Sequence, residues 1–186
     1  VKPIHDQSPW RLTVLGRLVE QKGHATLLRA LAQLKEYHWK LSVVGEGPLL
    51  ESLKKLTNEL TLSGRVEFAP FTHEIAHVLE ETDFLLVPSH WEGLGIVARE
   101  GMAAGRVVIA SDTGGLSETI VSGVNGWLVP SGDVLMWRER VKYCFEHPDE
   151  DAQLAEAART YARDHFGVEA MAAAYCQMYE KLFRAD

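Results

Sequence analysis

Asp83-Phe84-Leu85-Leu86-Val87-Pro88-Ser89-His90-Trp91-Glu92-Gly93-Leu94-Gly95-Ile96-Val97-Ala98-Arg99-Glu100 is the stretch that decides the fold. Its first five residues form a nearly continuous apolar run, the pattern of a strand covered on both faces. A Gly-containing turn follows, and the spacing then predicts a helix over 96–104. Strand, short turn and helix in this order make one arm of a βαβ unit.

The same grammar repeats on either side. Further strands are expected over 11–15, 39–44, 65–69, 107–110 and 127–129. Between them, Leu27, Leu28, Leu31 and Leu34 mark one amphipathic helix, and Leu49, Leu50, Leu53, Leu56 and Leu60 mark another, with Pro48 in its first turn. Short helices are expected over 73–80 and 116–121. Ser131-Gly132-Asp133 opens a longer one carrying Val134, Trp137, Val141 and Cys144, and two more helical stretches close the chain. Strands alternating with helices across short turns imply an α/β fold: a Rossmann-type doubly wound parallel sheet of about six strands, with helices on both faces. Residues 1–9 read as a linker end and 10–186 as one domain, and the absence of an initiator Met reads as a cut through a longer protein.

In such sheets ligands sit outside the carboxyl ends of the strands. The turns at Gly16, Gly45, Pro88 and Ser111 all follow strands, so all belong to that edge. The turn over 16–23 carries Arg17 and Lys22 ahead of a helix, whose first amides lack internal partners. Arg binds phosphate bidentately and Lys adds a point charge, although two solvated surface cations would give the same pattern. In the opening stretch Gly93 and Gly95 permit positive φ and close approach of a ligand, and the amides of Gly95, Ile96 and Val97 start a helix towards an anion. Glu100, one turn into the helix, suits a vicinal diol such as a ribose; Glu92, in the loop, suits a sugar hydroxyl.

Other readings are weaker. Glu92 and Glu100 as a glycosidase couple would need carboxyls within ~5–9.5 Å, whereas eight helical residues rise about 12 Å. Gly45-Glu46-Gly47 lacks the third glycine of a dinucleotide fingerprint and reads as a tight strand-to-helix turn. The hydroxyls and amides of 111–115 line the same edge, unless Asp112 simply closes an Asx turn. The eight histidines show no metal-ligand spacing, and no Ser/His/Asp arrangement stands out. A formal net charge of −7 argues against a broad nucleic-acid surface. Cys144 and Cys176 fall on apolar helical patterns and read as core thiols rather than a disulfide, which fits a reducing compartment.

Taken together, Gly16-Arg17-Leu18 with Lys22-Gly23, Gly45-Glu46-Gly47-Pro48, Pro88-Ser89-x-x-Glu92-Gly93-x-Gly95 ending at Glu100, Gly114-Gly115-x-x-Glu118 and Gly123-x-Asn125-Gly126 resemble the C-terminal half of a family 4 retaining glycosyltransferase of the GT-B fold. The resemblance runs from about Trp10 to Phe183. It implies that 10–186 binds a nucleotide-diphosphate-sugar (a UDP-, GDP- or ADP-sugar) as substrate, with no cofactor and no metal. Arg17 and Lys22 would contact the diphosphate and, with Glu92, form the catalytic set. Glu100 would hold the ribose, and Glu92 the donor sugar. Gly16, Gly93, Leu94, Gly95, Ile96 and Val97 would complete the donor site, with Pro70 and Phe71 meeting the base. The implied role is transfer of a hexosyl group to a saccharide or lipid acceptor in polysaccharide, glycolipid or glycoconjugate synthesis, in the cytoplasm or at the inner face of the membrane. A non-catalytic nucleotide-sugar-binding or assembly module is the alternative. The resemblance also implies a missing N-terminal domain that supplies the acceptor site and any peripheral membrane association. The periodic helix over 168–183 would pack towards it, leaving its apolar face partly exposed here.

Overall fold

The computed structural model describes residues 8–183. Six strands, β1 (Trp10–Leu15), β2 (Trp39–Val44), β3 (Val66–Ala69), β4 (Phe84–Val87), β5 (Val107–Asp112) and β6 (Trp127–Pro130), form one sheet in the order β3-β2-β1-β4-β5-β6. Every pairing is parallel. The helices are α1 (His24–Leu31), α2 (Leu50–Glu59), α3 (Ile75–Glu80), α4 (Ile96–Ala103), α5 (Gly115–Thr119), α6 (Val134–Glu146), α7 (Pro148–Phe166) and α8 (Val168–Phe183). The fold is the expected Rossmann-type sheet.

Successive residues of β4 alternate between two cores. Phe84 and Leu86 join the cluster that contains Leu27 and Leu28 of α1, Leu53 of α2 and Val141 of α6. Leu85 and Val87 join the cluster that contains Leu79 of α3, Ala98 and Met102 of α4 and Leu116 of α5. β5 alternates likewise, Val107 and Ile109 on one side and Val108 and Ala110 on the other. This period of two explains an apolar run with no polar face. Each fully buried large apolar side chain contributes roughly 1.5–3 kcal/mol. The far end of the β1–β4 pair is clamped by Arg11: its backbone amide and guanidinium donate to the Asp83 carboxylate at 2.9 Å and 2.8 Å.

Several expectations shift. α1 starts at His24, three residues before the first leucine of its stripe, and Leu34 packs from the turn beyond it. Pro48 stands in the turn ahead of α2, not inside it. β5 continues to Asp112, burying Ser111 in the sheet, and Asp112 accepts from Ser117 Oγ of α5 at 2.6 Å. Cys144 is buried as a core thiol, but Cys176 is exposed. The reason is α8, which has no buried residue: Met171, Tyr175, Tyr179 and Leu182 are all solvent-exposed. Of the linker end expected over 1–9, residues 1–7 lie outside the described residues.

Asp151 in the first turns of α7 is buried with neither carboxyl oxygen hydrogen-bonded; Cys144 and Trp127 flank it without closing a bond. Burial pushes its pKa up to about 7. The folded state therefore holds this proton more tightly than the unfolded chain does. The stability this confers is complete below the unfolded value near 3.8 and is lost as pH rises through about 7. Asp151→Asn is expected to gain on the wild type by ~2–3 kcal/mol between pH 5 and pH 8. Urea unfolding at the two pH values measures this, and a pH-independent difference would show that the carboxyl is ionised or solvated in the fold.

Candidate functional site

The strand order reverses between β1 and β4, which are hydrogen-bonded neighbours, so the loops leaving their carboxyl ends stand side by side. The first loop runs through a 3₁₀ turn, Glu20–Lys22, into α1; the second runs over 88–95 into α4. Lys22 Nζ donates to Glu92 Oε2 at 2.5 Å, and Ser89 Oγ donates to the same oxygen at 3.1 Å. Both members of the ion pair are largely shielded, with side chains 19% and 13% exposed. Two residues seventy positions apart in sequence thus share one contact.

Backbone contacts stitch the loops together. His90 N–H donates to Gln21 O at 2.7 Å, and Gln21 Nε2 donates to Trp91 O at 3.0 Å. Gly23, at φ +63°, lies so close to the loop that a Cβ would stand 1.9 Å from Pro88 O. From the other side Gly114 backs onto Glu92, where a Cβ would stand 2.0 Å from the Glu92 carbonyl oxygen. Gly115 N–H donates to that oxygen at 3.2 Å. Thr113 Oγ1 donates to His90 O at 3.3 Å, and Ser131 Oγ to His90 O at 3.1 Å. The loop that carries Glu92 is therefore held by three neighbouring loops.

Two helices begin here without a side-chain cap. α1 starts behind Gly23, and its first backbone bonds run from Thr26 and Leu27 to Gly23 O. α4 starts behind Gly95, at φ 65°, and its first bonds run from Ala98 and Arg99 to Gly95 O. The amides of His24, Ala25, Ile96 and Val97 make no hydrogen bond among the described residues. Uncapped helix starts beside a lysine form a site for an anion. His24 is buried with both ring nitrogens unpartnered. Burial and the Lys22 ammonium lower its pKa to about 4, so it stays neutral at neutral pH and adds no charge.

The remaining expected residues spread outward. Arg17 is exposed, and its guanidinium makes no hydrogen bond or ion pair among the described residues, although its carbonyl accepts from Val19 N–H at 3.0 Å. Glu100 is exposed on the second turn of α4, its carboxylate likewise without a partner among the described residues, and desolvation raises its pKa. Glu92 is engaged by Lys22. Gly95 adopts the positive φ expected of it; Gly93 does not, and serves instead through its carbonyl, against which Gly115 packs. Pro70 and Phe71 are exposed after β3, with Phe71 edge-on to His73 at 4.8 Å. Two strand spacings, ~10 Å, separate β3 from β1. A cleft of about 810 Å³ between α4 and α7 meets this set only at Ile96 and Glu100 and is otherwise lined by residues such as Arg99, Arg159 and Phe166. The other expected residues belong to the open strand edge. The turn over 45–48 is committed to its neighbour: Leu18 N–H donates to Glu46 O at 2.8 Å, and Leu49 N–H to Leu18 O at 3.1 Å. Sequence reading missed Ser89, Gln21 and Ser131. Ser89 had a usable signal, standing three residues before Glu92.

The six-stranded parallel sheet, with these loops at its switch point, matches the Rossmann-like half of GT-B glycosyltransferases. The profile of the family "Glycosyl transferases group 1" matches residues 2–161, and the chain belongs to that family. It is 35% identical over 188 residues to D-inositol 3-phosphate glycosyltransferase of Corynebacterium jeikeium, covering 94% of this chain and 45% of that protein. It is 29% identical to glycogen synthase of Mycobacterium tuberculosis, covering 92% and 42%. Anabaena HepE, solved in complex with UDP and glucose, superposes with a TM-score of 0.87 at 26% identity, over 94% of this chain and 49% of that one. The C-terminal domain of LpcC from Francisella tularensis superposes at 0.80 with 25% identity, over 87% and 89%. The chain spans less than half the length of the two curated relatives.

Gly23→Ala forces both a strained φ and a clash with Pro88 O. It is expected to cost well over 1 kcal/mol and to lower the melting temperature. Calorimetry tests this, and an unchanged transition would mean the two loops are free to separate.

Proposed function

We propose that this chain is the donor-binding half of a retaining hexosyltransferase that takes a nucleotide-diphosphate-sugar. The observation that carries the reading is the meeting of Lys22 and Glu92 between two uncapped helix starts. In the proposed complex the diphosphate lies over the starts of α1 and α4. Lys22 and Arg17 balance its charge, and the α4 amides at Ile96 and Val97 take its oxygens. Charge develops on the leaving diphosphate as the glycosidic bond breaks, and fixed donors and cations stabilise it without reorganising. Glu100 accepts from the ribose diol. Pro70 and Phe71 receive the base. Glu92 holds the transferred sugar. HepE, a relative at 26% identity crystallised with UDP and glucose, supports this class of ligand.

The acceptor site belongs to a facing domain in this reading, supported by relatives of more than twice this length. The exposed apolar face of α8 packs towards that domain. Alone, the chain binds donor and transfers little or nothing.

NMR titration with UDP, GDP and ADP is expected to move the resonances of Arg17, Lys22, Ile96 and Glu100 for at least one of the three; stillness at all four positions would sink the assignment. Lys22→Ala is expected to weaken the diphosphate by ~1–3 kcal/mol, the scale of a hydrogen bond to a charged group. Glu92→Gln removes the carboxylate that competes for Lys22, so diphosphate affinity should hold or rise. Isothermal titration calorimetry distinguishes the two; equal losses in both variants would make the pair a structural strut.

A further inference from the structure

The chain has five tryptophans. Trp39 and Trp137 are buried and Trp10 and Trp127 half-buried, whereas Trp91 is 57% exposed. An indole carries one of the largest apolar surfaces of any side chain, and the fold shields the other four. Trp91 stands immediately before Glu92, at the sheet edge where the two loops meet.

Its exposure does not come from a loose loop. The Trp91 carbonyl accepts from Gln21 Nε2 at 3.0 Å, and the preceding amide, His90 N–H, donates to Gln21 O at 2.7 Å. The His90 carbonyl accepts from Ser131 and Thr113, and the Glu92 carbonyl from Gly115 N–H. The backbone before, at and after Trp91 is therefore fixed from three other loops. The His90 imidazole lies near the indole at 28° and 6.4 Å between centroids. Leu94, on the other side of Glu92, is also exposed.

A flat apolar ring carried on a fixed backbone, one residue from Glu92, matches the two-sided chemistry of a pyranose. The axial C–H face of the sugar packs on the aromatic plane, and its equatorial hydroxyls turn to the polar groups alongside. Because the ring's carrier is already ordered, stacking costs little conformational entropy. We propose that Trp91 is a stacking platform for a hexopyranose ring at this edge. The inference rests on the reading of the neighbouring site as a nucleotide-sugar site. The pyranose is either the sugar of the donor or the terminal residue of the acceptor.

The test uses the Trp91 indole N–H resonance of the ¹⁵N-labelled chain, assigned by its loss in Trp91→Phe. The probes are UDP, GDP and ADP, then UDP-glucose, GDP-mannose and ADP-glucose, then the methyl α-pyranosides of glucose, galactose and mannose. A diphosphate is expected to move Arg17 and Lys22 and leave the indole still, whereas a sugar-bearing ligand moves the indole. A shift with a nucleotide-sugar identifies the donor ring, and a shift with a free glycoside identifies the acceptor ring. Trp91→Ala is expected to weaken that ligand about 3–10-fold while the diphosphate affinity stays within about twofold; Trp91→Phe should retain most of the binding. The platform is overturned if diphosphates move Lys22 while no sugar moves the indole, or if Trp91→Ala weakens diphosphate and nucleotide-sugar equally. If no diphosphate moves Arg17, Lys22 or Glu100, the site reading itself fails, and the platform fails with it.

Discussion

The direct pairing of β1 with β4 is the constraint on which the rest depends. Chain order alone would separate these strands by two βα units, yet in the sheet they are adjacent, with β2 and β3 to one side and β5 and β6 to the other. Helices leave such a reversal point in opposite directions, so the loops at its carboxyl end are not roofed by a crossover. α1 belongs to one helical layer and α4 to the other. Their N-termini nevertheless flank a single spot, because each follows one member of the same strand pair. Arg11 and Asp83 fix this pair at the opposite end, about five residues of strand away from Lys22 and Glu92.

The loops above that pair meet through backbone more than through side chains. Glycine is needed where two main chains come within contact distance, at Gly23 against Pro88 and at Gly114 against Glu92. Any larger residue would push the Glu92 loop outward. Polar side chains then tie down the carbonyls that close approach leaves unpaired: Gln21 takes Trp91 O, and Thr113 and Ser131 take His90 O. Rigidity here has a chemical consequence, because groups already held in place need not be reorganised when charge develops on a ligand.

The fold was legible in the sequence because its central strands are buried on both faces and most of its helices on one. β4 announces itself as an apolar run, and the leucine stripes of α1 and α2 have unambiguous helical spacing. Short helices were less legible: α5 begins at Gly115 because Gly114 turns the chain, a backbone event with little trace in periodicity. α8 had the clearest stripe near the end of the chain, yet Cys176 on it is not a core thiol. Periodicity reports that a face is apolar but not whether the fold buries it. For the site, the turns, the helix starts and both glutamates were legible. The strand order was not, and with it went the contact between Lys22 and Glu92. Gly93 and Gly95 looked alike in sequence and differ in role, since only Gly95 turns the chain with positive φ.

The contact between Lys22 and Glu92 also bears on how such a site works. The lysine beside two helix starts is paired with the carboxylate, which also accepts from Ser89. A second anion arriving at this edge must draw on the same ammonium. On the proposed reading, the diphosphate takes Lys22 and the carboxylate is left facing the sugar. Binding the leaving group and freeing Glu92 to accept a sugar hydroxyl would then be one event rather than two. A nucleotide without its sugar would leave that carboxylate with no hydroxyl to accept, and a sugar without its diphosphate would find it still held by Lys22. On that reading the pair ties recognition of the sugar to recognition of the phosphates, through a contact between residues seventy positions apart.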